Sequence, residues 1–338
     1  MKKPILLWLP LLIGFCGSCS GGCYAQKETE PEELNIPLSV VNWNVQTFFD
    51  ANKDGCEYTE FQKSSDWNKE KYQDRVKRLA QVISTLDADI YVFEEIENEN
   101  VLQDISNELS GKSQSWNQKK FWNYSVFAKE ENTAIGTGIL SRYPITEAKT
   151  HSMDIRIHKE KQPSVRYILQ TTLSVKSKTI TVLVNHWKSK LGGQNQTEIW
   201  RDWQESILGK ITCEIQNKDP AQAIIICGDF NRDAADFILN NNNTILRYSD
   251  FGYTDYTQAK SMWFSDSGQF LHQTGSYYYD DRWERIDNIL ISGEIKIAGA
   301  EPSAAAPWAS PKGIPESYKI YSGEGYSDHL PVIARLIL

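Results

Sequence analysis

The stretch Ala223-Ile224-Ile225-Ile226-Cys227-Gly228-Asp229-Phe230-Asn231 decides the fold. Its opening residues are apolar and rich in Ile, without the polar alternation of a half-exposed strand. Such a run is read as a strand buried on both faces, the kind found inside layered α/β proteins. Asp229 and Asn231 follow two residues apart, so period-2 geometry sends both side chains off the strand end in one direction. Working outward, Arg285-Ile286-Asp287-Asn288-Ile289-Leu290 sets Asp287 inside another apolar run, where a carboxylate needs a partner. Ser327-Asp328-His329-Leu330-Pro331 leads into Val332 and Ile333, so a last strand carries an imidazole to the same region. His329 and Asp287 are the natural pair, the acid fixing the ring's tautomer and favouring its charged form. Leu38 to Val45 reads as a strand ending on the amide of Asn44, and Asp89 to Glu95 as one ending on two acids. Glu95 is read as a metal ligand, Glu94 as a strand-end charge or a supporting group.

Helical spacing appears at Tyr72, Val76, Leu79, Ala80, Ile83 and Leu86, and again at Ile199, Trp203, Ile207, Leu208 and Ile211. These helices alternate with the strands, as a layered α/β fold requires. At 338 residues with 40% hydrophobic content, the chain is long enough for one large two-sheet domain. No Pro- or Gly-rich linker divides residues 37–338, and the low-complexity block is confined to Asn240 to Asn243.

Taken in order, Trp43-Asn44-Val45, Glu95, Asn185-His186, Gly228-Asp229-Phe230-Asn231, Arg285-Ile286-Asp287 and Ser327-Asp328-His329 resemble the motifs of the endonuclease/exonuclease/phosphatase superfamily, the deoxyribonuclease I-like fold. The resemblance covers roughly residues 37 to 338. It implies a four-layer α/β/β/α sandwich, two mixed sheets face to face with helices outside, that hydrolyses phosphate esters with a divalent cation, usually Mg2+, with Mn2+ or Ca2+ as substitutes. Carried over by position, Glu95 binds the metal, Asn44 helps to hold metal or phosphate, and Asp328 supports the metal or the phosphate network. Asp229 orients or deprotonates the attacking water and Asn231 donates to phosphoryl oxygens. His329, paired with Asp287, stabilises the phosphate charge or protonates the leaving oxygen. His186 falls where members place a His or Tyr against the phosphate.

The chemistry accounts for these residue types. A phosphodiester is already anionic, so a nucleophile is repelled unless a cation and hydrogen-bond donors neutralise the non-bridging oxygens. Carboxylates and amides are hard ligands suited to magnesium, manganese or calcium, whereas the three cysteines outside the N-terminal segment show no CxxC spacing and no two His lie at the i,i+4 spacing of a zinc helix. The sequence departs from the family's commonest pattern at Gln46, where many members carry an acid; an amide there favours a single catalytic metal. Val182 to Lys190, followed by Leu191-Gly192-Gly193 and Arg201, resembles the NHxKSK segment of secreted bacterial nuclease-like members. Lys188, Lys190 and Arg201 would then form a cationic rim for phosphate, the competing reading being solvated turn and helix-face charges.

Other residues have plainer readings. His151, His158 and His272 lack motif context and are expected in loops or at the surface. Trp67, Trp122, Trp200, Trp203 and Trp263 are expected to pack, although each could stack on a base or lipid. Asp50-Ala51-Asn52-Lys53-Asp54-Gly55 matches the opening of a calcium loop, but position 12 is Phe61 rather than Glu, and a turn rich in Asp, Asn and Gly needs no ion.

Lys2 and Lys3 precede an apolar run from Ile5 to Phe15, too short to span a bilayer and typical of a signal peptide. Residues 1–25 are therefore read as an export signal and 26–36 as a tether to a catalytic domain at 37–338. Cys19 or Cys23 resembles a lipoprotein processing site, with cleavage after Ala25 as the rival; the protein is expected at the cell envelope or secreted. The net charge of −8 removes a global basic field, so strong nonspecific DNA binding is not expected. Cys227 reads as a packed thiol.

The expectation is an exported, metal-dependent phosphodiesterase, foremost a nuclease cutting internally, with nucleic acid as substrate, acting as a monomer and touching membrane only through a lipid anchor. A phosphomonoesterase or a sphingomyelinase-like enzyme, acting on sugar phosphate or phospholipid, uses the same site. A catalytically inactive binding protein is the alternative from another class. Residues 51–71 and 250–284 are the expected specificity loops.

Overall fold

The computed structural model describes residues 35–112, 121–131, 133–153, 161–250 and 253–338. The expected signal peptide, its processing sites, most of the tether and His158 lie outside the described residues. In chain order the elements are β1 (Pro37–Phe48), α1 (Thr59–Lys63), α2 (Lys69–Leu86), β2 (Ile90–Ile96), α3 (Glu99–Lys112), β3 (Tyr124–Ala128), β4 (Gly136–Ser141), β5 (Ile145–His151), β6 (Ile168–Val175), β7 (Lys178–His186), α4 (Gln194–Lys218), β8 (Ala223–Asp229), β9 (Leu239–Asn240), β10 (Asn243–Asp250), β11 (Tyr253–Ser261), β12 (Tyr277–Tyr279), β13 (Arg282–Glu284), β14 (Asp287–Ser292), β15 (Lys296–Pro302) and β16 (Val332–Ile337). One sheet has the order β15-β16-β1-β2-β4-β3, the other β5-β6-β7-β8-β14-β11-β10-β9, and β12 pairs with β13 alone.

Period-2 alternation sorts the apolar side chains into three cores. Val40, Ile90, Val92, Val182, Val184, Ile225 and Cys227 point between the two sheets. Their neighbours Val41, Tyr91 and Phe93 face the other way, onto Val76, Leu79 and Ile83 of α2 and Leu102 and Ile105 of α3. Leu183, Ile224 and Ile226 face Trp200, Leu208 and Ile211 of α4. This is the four-layer sandwich read from the sequence. The strand at Ala223 is buried along its whole length because it has a core on each face. Each of its fully buried aliphatic side chains is worth about 1.5–3 kcal/mol relative to exposure.

The α4 helix exists, but its buried face differs from the one expected. Trp200, Arg201, Gln204, Glu205, Leu208 and Ile211 face inward, whereas Ile199 and Trp203 are exposed. Trp67, Trp122, Trp200 and Trp263 are packed as expected, and Trp203 is not. The Asn-rich block forms the turn between β9 and β10, where Asn241 and Asn242 take positive φ, a conformation Asn tolerates better than most residues.

Strand direction places the polar ends together. β1 runs parallel to β2, and β7 parallel to β8, so all four deliver their C-terminal ends to one rim. β14 and β16 run antiparallel to their neighbours and begin at that rim, with Asp287 opposite Asp229 and Val332 opposite Asn42. At the crowded end of β8, a Cβ on Gly228 would lie 1.9 Å from the carbonyl oxygen of Asn185, so only glycine lets the two parallel strands approach.

Candidate active site

Two matched irregularities turn the ends of β1 and β2 into a site. The β1–β2 register breaks between Asn44 and Phe48, and the β2–β4 register between Glu94 and Ile96. Gln46, Thr47 and Glu95 have φ of 51°, 48° and 65°, a region that strains a non-glycine residue by about 1–3 kcal/mol. The kink brings Glu95 back to the rim. Its Oε2 accepts the Thr47 N–H at 2.6 Å and its Oε1 the Asn44 amide at 3.2 Å. The same amide nitrogen lies 3.0 Å from Asp229 Oδ2, so Asn44 bridges the two sheets.

Glu94, adjacent in sequence, turns inward and is not the strand-end charge expected. Its carboxyl is fully buried, 3.4 Å from the Asn42 amide, with Oε1 unpartnered. Burial, then the nearby Asp287 and Asp229, push its pKa well above the usual range, which favours the neutral acid.

Asp229 ends β8, and its Oδ1 accepts the Asn231 N–H at 2.8 Å. Asn231 takes a φ of 48°, and its amide donates to the Trp187 carbonyl at 3.2 Å. Burial first, then Asp287, raise Asp229 to about 7, against the opposing pull of His329, the Asn231 N–H and Asn44. His329 Nδ1 lies 2.8 Å from Asp287 Oδ2. Burial disfavours the charged ring, but Asp287, with help from Asp328 and Asp229, outweighs it and holds the ring's pKa well above the ordinary imidazole value. The turn carrying His329 is fixed by Ser327, which donates to the Asn44 carbonyl at 2.6 Å, and by Trp43, which donates to the His329 carbonyl at 2.9 Å.

His186 Nε2 stands 3.8 Å from Asp229 Oδ2 and 3.9 Å from Glu95 Oε1. Burial, then Arg166 and His329, push its pKa well below the ordinary value, leaving a neutral ring. Glu95, Asn44, Asp229, Asn231, Asp287, Asp328, His329 and His186 are thus brought to one rim.

A divalent cation fits this donor set. Among the described residues, Glu95, Asp229, Asp287 and Asp328 have only the two imidazoles within ion-pair distance, and the His186 ring beside Glu95 and Asp229 is neutral, so negative charge is in excess. Burial, then the charge of Glu95, raise Asp328 even against the pull of His329, and such mutual repulsion is what a cation relieves. Asp287 Oδ1 is also buried without a partner. Asp229, Asp287 and His329 place one ligand atom each within 4.8 Å of one another. The bond between His329 and Asp287 occupies one nitrogen of the ring and one oxygen of the carboxylate, which favours the Glu95 side as the cation position.

Arg201 is not at the rim. It is 0% exposed, and its guanidinium is consumed by Glu198 and by the carbonyls of Lys188 and Gln194. The expected phosphate contact is therefore replaced by a structural one that fixes the start of α4. Lys190 pairs with Glu284 at 2.8 Å. Lys188 is half-buried, its Nζ 3.2 Å from the Ser189 carbonyl. Gln46 spends its amide on the backbone of Tyr318, accepting from N–H at 2.7 Å and donating to the carbonyl at 3.3 Å.

Two residues at the site, Arg75 and Arg166, had no sequence signal, and Tyr277 falls in the 250–284 stretch read only as a specificity loop. Arg75 is buried between the rings of Tyr318 and Phe48, and donates to the carbonyls of Val45, Gln46 and Thr47, holding the kink in β1. Arg166 is the guanidinium whose charge acts on His186 and Lys188. Tyr277 packs its ring 4.7 Å from that of His329. Beside the Asp50 to Gly55 turn, Asp54, Glu57 and Glu97 come together, and their oxygens accept backbone N–H groups of Cys56, Asp54, Gly55 and Asp50. Burial raises Glu97 to about 8.

A family model described as the Endonuclease/Exonuclease/phosphatase family matches residues 39–302. Among solved structures, truncated TDP2 of Caenorhabditis elegans is similar with a TM-score of 0.56 at 15% identity, over 89% of this chain and 98% of that one. D. rerio TDP2 complexed with a single-strand DNA product gives 0.53 at 15% identity, over 89% and 98%. A Bacteroides thetaiotaomicron mannosyl-6-phosphatase gives 0.54 at 14% identity, over 89% and 100%. At these identities the likeness concerns the fold. None of the curated proteins matches the sequence.

Proposed function

The chain belongs to the endonuclease/exonuclease/phosphatase family, and from that premise we propose that it is an exported, divalent-metal-dependent phosphodiesterase acting as an endonuclease. One observation carries the reading: the His329–Asp287 pair, the base-competent Asp229 and the Glu95–Asn44 pair occupy a single rim.

Glu95, Asn44 and Asp328 would hold Mg2+, or Mn2+ or Ca2+ in its place. When bound, the cation neutralises the non-bridging oxygens of the phosphate. Asp229 takes the proton of the attacking water, and a pKa raised to about 7 suits a base working near neutrality. Asn231 spends one amide hydrogen on Trp187 and has a second for a phosphoryl oxygen. His329 is protonated and, held by Asp287, gives a proton to the departing oxygen. His186 stays neutral against the phosphate, with Arg166 and Lys188 supplying positive charge where Arg201 does not.

A phosphomonoesterase is the second reading, favoured by Lys190 and Arg201 being tied off by Glu284 and Glu198, which leaves no continuous cationic track among the described residues. The test compares plasmid DNA, single-stranded oligonucleotide and mannose 6-phosphate, each with magnesium and with chelator. Chelator-sensitive strand cleavage supports the nuclease; release of inorganic phosphate from the sugar ester alone supports the monoesterase.

A further inference from the structure

The hairpin β12–β13 stands beside the catalytic rim and is built to present one face. Its connection, Asp280-Asp281, has φ of 48° and 57°, the pattern of a two-residue type I′ turn, which matches strand twist and holds a hairpin stiffly. Residues opposite each other share a face: Tyr277 pairs with Glu284 and Tyr279 with Arg282. Tyr278 and Trp283 occupy the other face, ring against ring at 5.0 Å. The hairpin is tied to the rim on both sides. Tyr277 bridges the backbone of His329, Leu330 donates to the Ser276 carbonyl at 2.7 Å, and Glu284 holds Lys190.

On the presented face the rings form a ladder that starts at the catalytic imidazole. His329 and Tyr277 are 4.7 Å apart, and Tyr277 and Tyr279 lie parallel to within 10° at 6.3 Å. Tyr279, the last rung, is 69% exposed. Opposite it, Arg282 is exposed and has no ion-pair or hydrogen-bond partner among the described residues. Tyr277 is half-buried over the acidic rim; burial, then Asp328 and Glu284, push its hydroxyl up to about 12, so it stays neutral there. A rigid aromatic surface beside an unpaired cation, leading away from a phosphate-cleaving centre, is the chemistry that binds single-stranded nucleic acid: rings take the bases, the cation takes the backbone.

We propose that the Tyr277–Tyr279 face is a stacking platform for the nucleobase beside the scissile phosphate of a single-stranded substrate, with Arg282 on the flanking phosphate. The inference rests on the nuclease reading. A duplex keeps its bases stacked inside and offers no free face, so the platform adds affinity for single strands and ends and takes no part in cleavage of duplex DNA. Tyr279 is a specificity-determining residue with no part in bond cleavage, so its effect falls on KM.

The test measures kcat and KM with magnesium on two probes, a thymidine oligonucleotide and an oligomer of equal length in which every base is absent. Tyr279→Ala should raise KM for the thymidine probe about tenfold, within the range for loss of one base–aromatic contact. It should leave kcat and the base-free probe unchanged, and Tyr279→Trp should restore the parent's KM. Arg282→Gln should raise KM on both probes. Equal effects of Tyr279→Ala on the two probes, or no effect on either, would overturn the platform while the parent's cleavage upholds the nuclease. A parent that cleaves neither probe would remove the nuclease reading and the platform with it.

Discussion

His329 Nδ1 lies 2.8 Å from Asp287 Oδ2, and that carboxylate keeps the buried ring protonated against the cost of its own burial. Asp287→Asn removes the charge that favours the imidazolium, so the alkaline limb of the kcat/KM profile should move to lower pH. Stability should follow with a fixed sign. A ring whose folded pKa is raised contributes stability that is complete below the ordinary value of about 6.5 and is lost as pH climbs through the folded value. Urea midpoints of the parent should therefore fall across the alkaline range, and those of Asp287→Asn should fall less. An unshifted alkaline limb would separate Asp287 from the chemistry.

Glu95 is a partly exposed member of the donor set, so Glu95→Gln should weaken magnesium binding, measured by calorimetry, by at least about tenfold. Magnesium should stabilise the parent by about 2.7 kcal/mol at a hundred times its Kd, and the variant much less. A bound cation favours the charged form of Asp229, so the acid limb, near 7 at limiting metal, should move to lower pH at saturating metal. Identical affinities in parent and variant would take Glu95 out of the site.

Arg75 never meets the substrate, yet it holds the three carbonyls of the kink from which Thr47 and Asn44 reach Glu95. Arg75→Met leaves these acceptors without their charged donor, each such bond being worth about 1.5–3 kcal/mol. The folded variant should lose both magnesium affinity and kcat. A variant that loses stability alone, with unchanged metal affinity, would make Arg75 a packing residue only.

The polar ends were legible because each follows an apolar run: Asp229 after Ile224 to Cys227, His329 before Val332 and Ile333. Period 2 also gave the two faces of those strands. Glu94 and Glu95 show where that arithmetic stops, since a bulge at Glu95 sends one acid to the rim and its neighbour into the core. Arg201 shows the same for helices: Ile199 and Trp203 suggest one buried face, but Arg201, Gln204 and Glu205 are inside because they meet partners on other segments, the Lys188 backbone for the first two and Arg232 for Glu205. Arg75 and Arg166 reach the site from segments distant in sequence with no motif to mark them, and Tyr277 comes from a stretch read only as a specificity loop.

Arg232 is buried at 3% exposure and bonded to Glu198, Asp202 and the buried Glu205. Removing one member of a buried ionic cluster strands the others, which costs about 3–5 kcal/mol. Arg232→Met should fall near 3 kcal/mol in urea unfolding, because Arg247 still holds Glu205 at 2.9 Å. The double variant Arg232→Met with Arg247→Met should lose more than the sum of the singles; strict additivity would dissolve the cluster into independent pairs.

The most direct test of the hydrolytic site is plasmid DNA incubated with magnesium and either the parent protein or His329→Ala. The account predicts nicking by the parent that stops with chelator and falls at least about a hundredfold in the variant, the lower range for loss of a general acid. Equal nicking by parent and variant would contradict it.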